Sequence, residues 1–248
     1  MMWTDDTYYT AFDHNYRMAY EEGDAYLGEG SFQEKAFQRL EALRQHTQVT
    51  AHGTKLLDLG CGDGANSLFL CGLGYDYAGI DISPTAVETA CRRATAANIA
   101  ADIRVGNAMD LSNFKSQEFR IVLDSYCLHM LVIDAHRAAY IESVKRVLAD
   151  DGYFLLLAQR DESAYEGAIT SFDEFCSRSG TDPGGVPHQK CIDGQWTEVK
   201  DKKVFLLGRQ RSLAGYQNEL TTAGFTIIHQ TTWENSGKIA FAGFVLSK

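Results

Sequence analysis

No stretch of the chain restricts its folding as much as Leu57-Asp58-Leu59-Gly60-Cys61-Gly62-Asp63-Gly64-Ala65-Asn66. The apolar run at 55–59 reads as a buried strand, and helical spacing resumes over 65–73. A strand that turns this abruptly into a helix needs residues free of the Cβ penalty. Glycines there also let a ligand approach the backbone. The spacing is GxGxG, so the loop lacks the third glycine of the dinucleotide GxGxxG pattern. It is not the GxxxxGK(S/T) phosphate loop either. A second apolar stretch, 75–81, ends on Asp81. A carboxylate at that tip can accept hydrogen bonds from two adjacent ribose hydroxyls. Loop and acidic tip together point to an adenosine-containing ligand rather than to a bare turn with a capping Asp.

Strand and helix patterns then alternate, which predicts an α/β fold with a parallel sheet flanked by helices. A helix is expected over 84–97, with Ser83 as its cap and Pro84 in its first turn. Strands follow at 101–105 and 119–123. A helix over 134–148 is expected to stop at Asp151-Gly152 before a fifth strand at 153–158. A helix at 213–223 precedes strands at 225–232 and 238–246, an antiparallel pair around Asn235-Ser236-Gly237. The whole chain, 1–248, reads as a single domain. Residues 1–50 form a helical cover, with segments near 6–21 and 31–46, and 53–160 the ligand-binding core. Residues 161–211 are an insertion expected to fold over the ligand edge of the sheet, and 212–248 the closing helix and hairpin.

The formal net charge of −10 disfavours an extended nucleic-acid surface, which needs clustered Lys and Arg. The one basic cluster, Lys200, Lys202, Lys203, Arg209 and Arg211, reads as an exposed charged hairpin around an apolar strand. No apolar run approaches the roughly 20 residues that span a bilayer. The acidic, aromatic start lacks the pattern of a secretion signal, so the cytosol is the expected compartment. Cysteines at 61, 71, 91, 127, 176 and 191 include no CxxC pair, and they read as reduced thiols without a metal.

In order, LLDLGCGDGAN, YAGIDIS, VGNAMDL, FRIVLDSYCLHML and RVLADDGYFLLL resemble the motifs of the class I S-adenosylmethionine-dependent methyltransferases. The likeness spans about 53–160, with a weaker match at 212–248. It implies a Rossmann-like three-layer α/β/α sandwich whose seven-stranded, mostly parallel sheet has an antiparallel last strand. It also implies S-adenosylmethionine as the cofactor. By position, Asp58, Gly60, Cys61 and Gly62 would border the methionine part, and Asp81 with Ile82 would hold ribose and adenine. Asn107 and Ala108 would meet the adenine, although the family commonly has Asp where Asn107 stands. Asn107 can accept through its carbonyl oxygen, with Asp110 as the fallback. Relatives acting on small molecules often carry an N-terminal cover bearing Tyr or Trp. That gives Tyr16 and Tyr20 a lid role and makes Arg17 a partner for the cofactor's carboxylate.

A sulfonium already activates its methyl group, so the protein's work is alignment and exclusion of water. The segment Asp124-Ser125-Tyr126-Cys127-Leu128-His129 ends the fourth strand, where such a site belongs. His129 is the candidate to contact or deprotonate the acceptor, with Asp124 and Tyr126 as positioning groups and Asp124 also beside the cofactor. The alternative for His129 is a ring that only packs. His188, Trp196 and Arg209 are candidates to line the acceptor pocket. The expected partner is a small-molecule methyl acceptor, with N, O and S all open and the oligomeric state undetermined. The competing readings are a protein or RNA methyltransferase, and a silent cofactor-binding partner protein. Asp-Ser-Tyr-Cys stands where many amide- or base-methylating relatives carry Asn/Asp-Pro-Pro-Tyr.

Overall fold

The computed structural model describes residues 3–21, 31–192, 195–205, 207–234 and 239–248. The strands are β1 (Lys55–Leu59), β2 (Asp76–Asp81), β3 (Asp102–Val105), β4 (Phe119–Ser125), β5 (Leu148–Arg160), β6 (Val186–Ile192), β7 (Gln195–Val204), β8 (Thr226–Glu234) and β9 (Ala240–Ser247). The helices are α1 (Ala11–Glu21), α2 (Ser31–Arg44), α3 (Ala65–Gly72), α4 (Pro84–Ala96), α5 (Asp134–Val147), α6 (Phe172–Ser179) and α7 (Leu213–Thr222). Seven strands make one sheet in the order β3-β2-β1-β4-β5-β9-β8, and β6 pairs with β7 in a separate hairpin. β1 to β5 run parallel, whereas β9 is antiparallel to both of its neighbours.

Side-chain alternation along each strand divides the core in two. On β4 and β5, Val122, Phe154, Leu156 and Ala158 face the layer holding Tyr140, Val144, Tyr216 and Leu220 of α5 and α7. Ile121, Leu123, Leu155 and Leu157 face the opposite layer, with Leu40 and Leu43 of α2 and Leu70 of α3. These are the three layers of the expected sandwich. A third cluster joins the chain start to the 161–211 region, through Trp3, Tyr8, Phe172, Phe175, Phe205 and Leu207.

Local signals hold where they were read. Ser83 Oγ accepts from the Ala86 N–H, and Pro84 opens α4. One boundary differs. No turn separates α5 from β5 at Asp151-Gly152, because the chain passes from the helix into the strand at Leu148. Leu148 pairs with Phe119 and is fully buried, so sheet pairing overrides the Asp-Gly turn signal. The basic cluster also departs from expectation. The hairpin is there, but Phe205 and Leu207 lie beyond it, and Arg209 is buried. The turn expected at Asn235-Ser236-Gly237 lies outside the described residues. Among those described, no helix is long and apolar enough to cross a membrane.

Candidate active site

The parallel strands end on one edge of the sheet, and their register sets five tips in a row. Asp81 lies beside Val105, Leu59 beside Ile80, Leu59 beside Asp124, and Ser125 beside Leu157. A cavity follows that row. Gly106, Asn107 and Ala108 line it after β3, Asp81 and Ile82 after β2, and Gly60 after β1. Ser125, Tyr126, Cys127 and His129 line it after β4, and Gln159 at the end of β5. Tyr9, Phe12 and Tyr16 of the N-terminal segment form its roof.

The glycine loop owes its composition to crowding as well as to backbone angle. Gly60, Gly62 and Gly64 have φ of 67°, 56° and 85°, the left-handed region. A Cβ on Gly60 would come within 2.9 Å of Cys127 Cβ and Sγ, and one on Gly62 within 2.6 Å of Tyr16 Oη. The sequence reading reserved this space for ligand. The nearest atoms are instead two side chains that themselves line the cavity. Asp81 is 8% exposed and uses both oxygens locally, Oδ2 accepting from the Gly62 N–H at 2.9 Å and Oδ1 from the Ser83 N–H at 2.8 Å. Each carboxylate oxygen keeps lone-pair capacity toward the cavity. Burial pushes its pKa up, against the backbone donors from Ser83 and Gly62.

Two more carboxylates lie under the floor rather than in the cavity lining. Asp124 accepts from the Cys127 and Leu128 N–H groups at 2.7 and 2.8 Å and from Tyr140 Oη at 2.6 Å. It therefore braces the turn that carries Tyr126 to His129. Asp58 accepts from Tyr77 Oη at 2.9 Å and is fully buried. Burial raises these acids to about 6 and about 7 respectively. Neighbouring carboxylates, a short glycine loop and an acidic strand tip suit a cationic adenosyl ligand. The residues present fit S-adenosylmethionine.

The remaining sequence candidates divide. Asn107 lines the cavity, but its carbonyl oxygen accepts from the Met109 N–H at 2.9 Å, a local turn that presents the amide end as a donor. Asp110 is exposed and accepts from the Ser112 N–H, outside the lining. Tyr16 roofs Gly62, whereas Tyr20 donates to Asp63 at 3.3 Å, and Cys61 is buried outside the lining. Arg17 is 59% exposed and pairs with Asp13 at 3.2 Å, away from the cavity. Asp13 also binds Ser83 Oγ and the Thr85 N–H, which ties α1 to the start of α4.

His129 is 2% exposed, and its buried Nδ1 has no hydrogen-bond partner among the described residues. Burial, aided by the positive charge of Arg137, drops its pKa to about 3, so the ring is neutral at pH 7. Tyr126 sits at φ 72°, a strained angle for a residue with a Cβ. Its hydroxyl accepts from Arg39 Nη1 at 2.9 Å, and that guanidinium lies 4.0 Å from the Phe241 ring centroid. Arg209 does not line the cavity. It binds the Val132 and Gly167 carbonyls and Asp134, and its own N–H donates to the His129 carbonyl at 2.7 Å. His188 is also outside the lining, and the Trp196 side chain is outside the described residues.

Sequence reasoning missed Gln159, Met130 and Leu131. A polar residue closing the apolar run of β5 was the signal available for Gln159.

A seven-stranded sheet in this order, with a cavity along its strand tips, defines a Rossmann-like methyltransferase fold. A family model described as a methyltransferase domain matches residues 56–152. A 2-heptyl-1-hydroxyquinolin-4(1H)-one methyltransferase of Mycobacteroides abscessus is 25% identical over 83% of each chain. A ubiquinone biosynthesis O-methyltransferase of Xanthomonas oryzae pv. oryzae is 30% identical over 56% of each. Two solved structures share the fold. Burkholderia thailandensis 1,6-didemethyltoxoflavin-N1-methyltransferase, with bound 1,6-didemethyltoxoflavin and S-adenosylhomocysteine, has a TM-score of 0.67 at 15% identity, over 100% of this chain and 92% of its own. The 4+2 cyclase SpnF has a TM-score of 0.69 at 16% identity, over 100% and 97%. Residues 56–152 are thus a methyltransferase domain, and the sheet around them has the Rossmann-like fold of the class I enzymes, whose cofactor is S-adenosylmethionine.

Proposed function

We propose that this enzyme methylates a small, planar aromatic acceptor on an oxygen or ring nitrogen that ionises readily. When bound, S-adenosylmethionine would supply a sulfonium methyl group and leave as S-adenosylhomocysteine, the acceptor reacting as an anion that has already lost its proton to solvent. The chain's residues bind, orient and keep water out. Asp81 holds the ribose hydroxyls, the amide of Asn107 donates to the adenine, and Gly60 borders the methionine part at the tip of β1. The acceptor belongs over β4 and β5, between the rings of Tyr9 and Phe12 and the side chains of Met130 and Leu131.

One observation carries the reading. The acceptor half of the cavity is aromatic and apolar, and the imidazole in it has a pKa of about 3. So weak a base is poorly matched to removing a proton at neutral pH. His129 then contacts the acceptor as a neutral ring, with Tyr126 beside it at 6.2 Å between centroids. An acidic hydroxyl or heteroaromatic N–H needs no stronger base. The acceptors named for two similar enzymes, a 1-hydroxyquinolin-4(1H)-one and 1,6-didemethyltoxoflavin, are heteroaromatic, and the net charge of −10 supports a small acceptor over RNA.

The test is methyl transfer from labelled S-adenosylmethionine to hydroxyquinolones, phenols and aliphatic alcohols. Turnover confined to the acidic aromatic compounds is expected. Faster labelling of aliphatic alcohols would overturn the reading, and cofactor binding with no labelling of metabolite, protein or RNA would indicate a silent binding protein.

A further inference from the structure

The far end of the cavity holds a polar group without a role so far. Gln159 lines the cavity from the last turn of β5, half-buried, and its backbone carbonyl accepts from Tyr216 Oη at 2.9 Å. Its side-chain carbonyl oxygen accepts from Gln210 Nε2 at 3.0 Å. An amide with its oxygen committed can turn only its N–H donors elsewhere. Among the described residues no bond engages the Gln159 NH2.

Gln210 is itself held firmly. Its neighbour Arg209 is 3% exposed and fastened to Val132, Asp134 and Gly167. On its other side Arg211 binds Glu166 at 3.0 Å and Glu219 at 3.2 Å, and its carbonyl accepts from the Asp161 N–H. Two anchored guanidiniums thus fix the residue between them, and that residue fixes which way the Gln159 amide faces. Natural pockets for small molecules are mostly apolar, with a few placed polar groups that set orientation. Met130, Leu131, Tyr9 and Phe12 line the same cavity, so an oriented N–H donor among them selects for a matching acceptor oxygen.

We infer that Gln159 is a specificity-determining residue whose NH2 donates to a ring carbonyl conjugated with the methyl-accepting atom, and that Gln210 positions it. The substrate class is therefore a vinylogous acid, an aromatic hydroxyl or N-hydroxyl sharing a ring system with a carbonyl. Such a compound ionises easily and carries one oxygen for the methyl and a second for the amide. The inference rests on the acceptor reading given above.

Two probes separate the possibilities, 2-heptyl-1-hydroxyquinolin-4(1H)-one, which has the carbonyl, and 1-naphthol, which lacks it. Gln159→Glu keeps the acceptor oxygen for Gln210 and removes the donor. It is expected to raise the Kd of the quinolone, titrated with S-adenosylhomocysteine present, at least about tenfold. The rise appears in KM rather than kcat, with 1-naphthol and S-adenosylhomocysteine affinity changed less than about twofold. Gln210→Leu, which frees the amide to turn over, gives the same probe-selective loss at about threefold. Unchanged S-adenosylhomocysteine affinity certifies folding in both variants. Quinolone binding equal to wild type in Gln159→Glu, or equal losses for both probes, overturns the inference while leaving the acceptor reading intact. A wild-type chain that methylates neither probe overturns the acceptor reading, and the inference falls with it.

Discussion

Gly60 illustrates how tightly single positions are set. Its φ of 67° disfavours any side chain, and a Cβ would press on Cys127 at 2.9 Å. Gly60→Val is expected to push the Cys127 turn into the cavity and to weaken S-adenosylhomocysteine binding at least about tenfold by calorimetry. Unchanged affinity would refute that packing account. His129 gives a pH signature. The unfolded ring takes a proton near 6.5 and the folded one only near 3, so between these values the unfolded state binds more protons. Stability contributed by keeping this ring neutral is present above 6.5 and is lost as pH falls toward 3. Asp58 and Asp124, whose raised pKa values act in the opposite sense, are present in both proteins of a variant pair and cancel. The Tm of wild type is therefore expected to fall faster than that of His129→Gln between pH 7 and pH 4. Parallel curves would contradict the burial of a neutral imidazole.

Among the elements, the turn after β4 is held from three sides. Asp124 braces it from below, and Arg209 donates to the His129 carbonyl from the 205–211 strap. Arg137, 1% exposed, donates to the Leu128 and Leu131 carbonyls and pairs with Glu219 of α7 at 2.6 Å. Arg137→Met would leave Glu219 and two carbonyls short of a buried partner. The expected loss is about 3–5 kcal/mol in urea unfolding, and a loss under 1 kcal/mol would show the network to be dispensable. This buttressing was hard to read in the sequence. The succession of strands and helices along the chain, the Ser83 cap, the glycine loop and the place of Asp81 were legible because strand, turn and cap signals lie within a few neighbouring residues. Arg39 with Tyr126, Arg209 with Asp134, and Gln159 with Gln210 are paired by folding across long stretches of chain. The start of β5 at Leu148 was hidden too, since a local Asp-Gly turn signal yielded to sheet pairing with β4.

The molecule as assembled sets a floor of strand tips under the cavity and the rings of Tyr9, Phe12 and Tyr16 over it as a roof. The floor belongs to the sheet and its two helical layers. The chain start also packs on the 161–211 region through an apolar cluster around Tyr8, Phe172 and Phe205, with Tyr8 and Phe172 stacked at 5.1 Å. A ligand enclosed between floor and roof binds only the folded state, so saturating S-adenosylhomocysteine is expected to raise Tm by several degrees. Tyr16→Ala, which opens the roof above Gly62, should shrink that shift. An equal shift in the variant would remove Tyr16 from the cofactor's enclosure.

Calorimetric titration of wild type and Asp81→Asn with S-adenosylhomocysteine bears most directly on the row of strand tips. Asp81 accepts from two backbone N–H groups, and an amide can serve only one of them while turning a donor toward the other. Stoichiometric binding by wild type is expected, weakened about tenfold to a hundredfold in the variant. No heat with wild type, or equal affinity in the two proteins, would contradict the placement of the cofactor over Gly60 and Asp81.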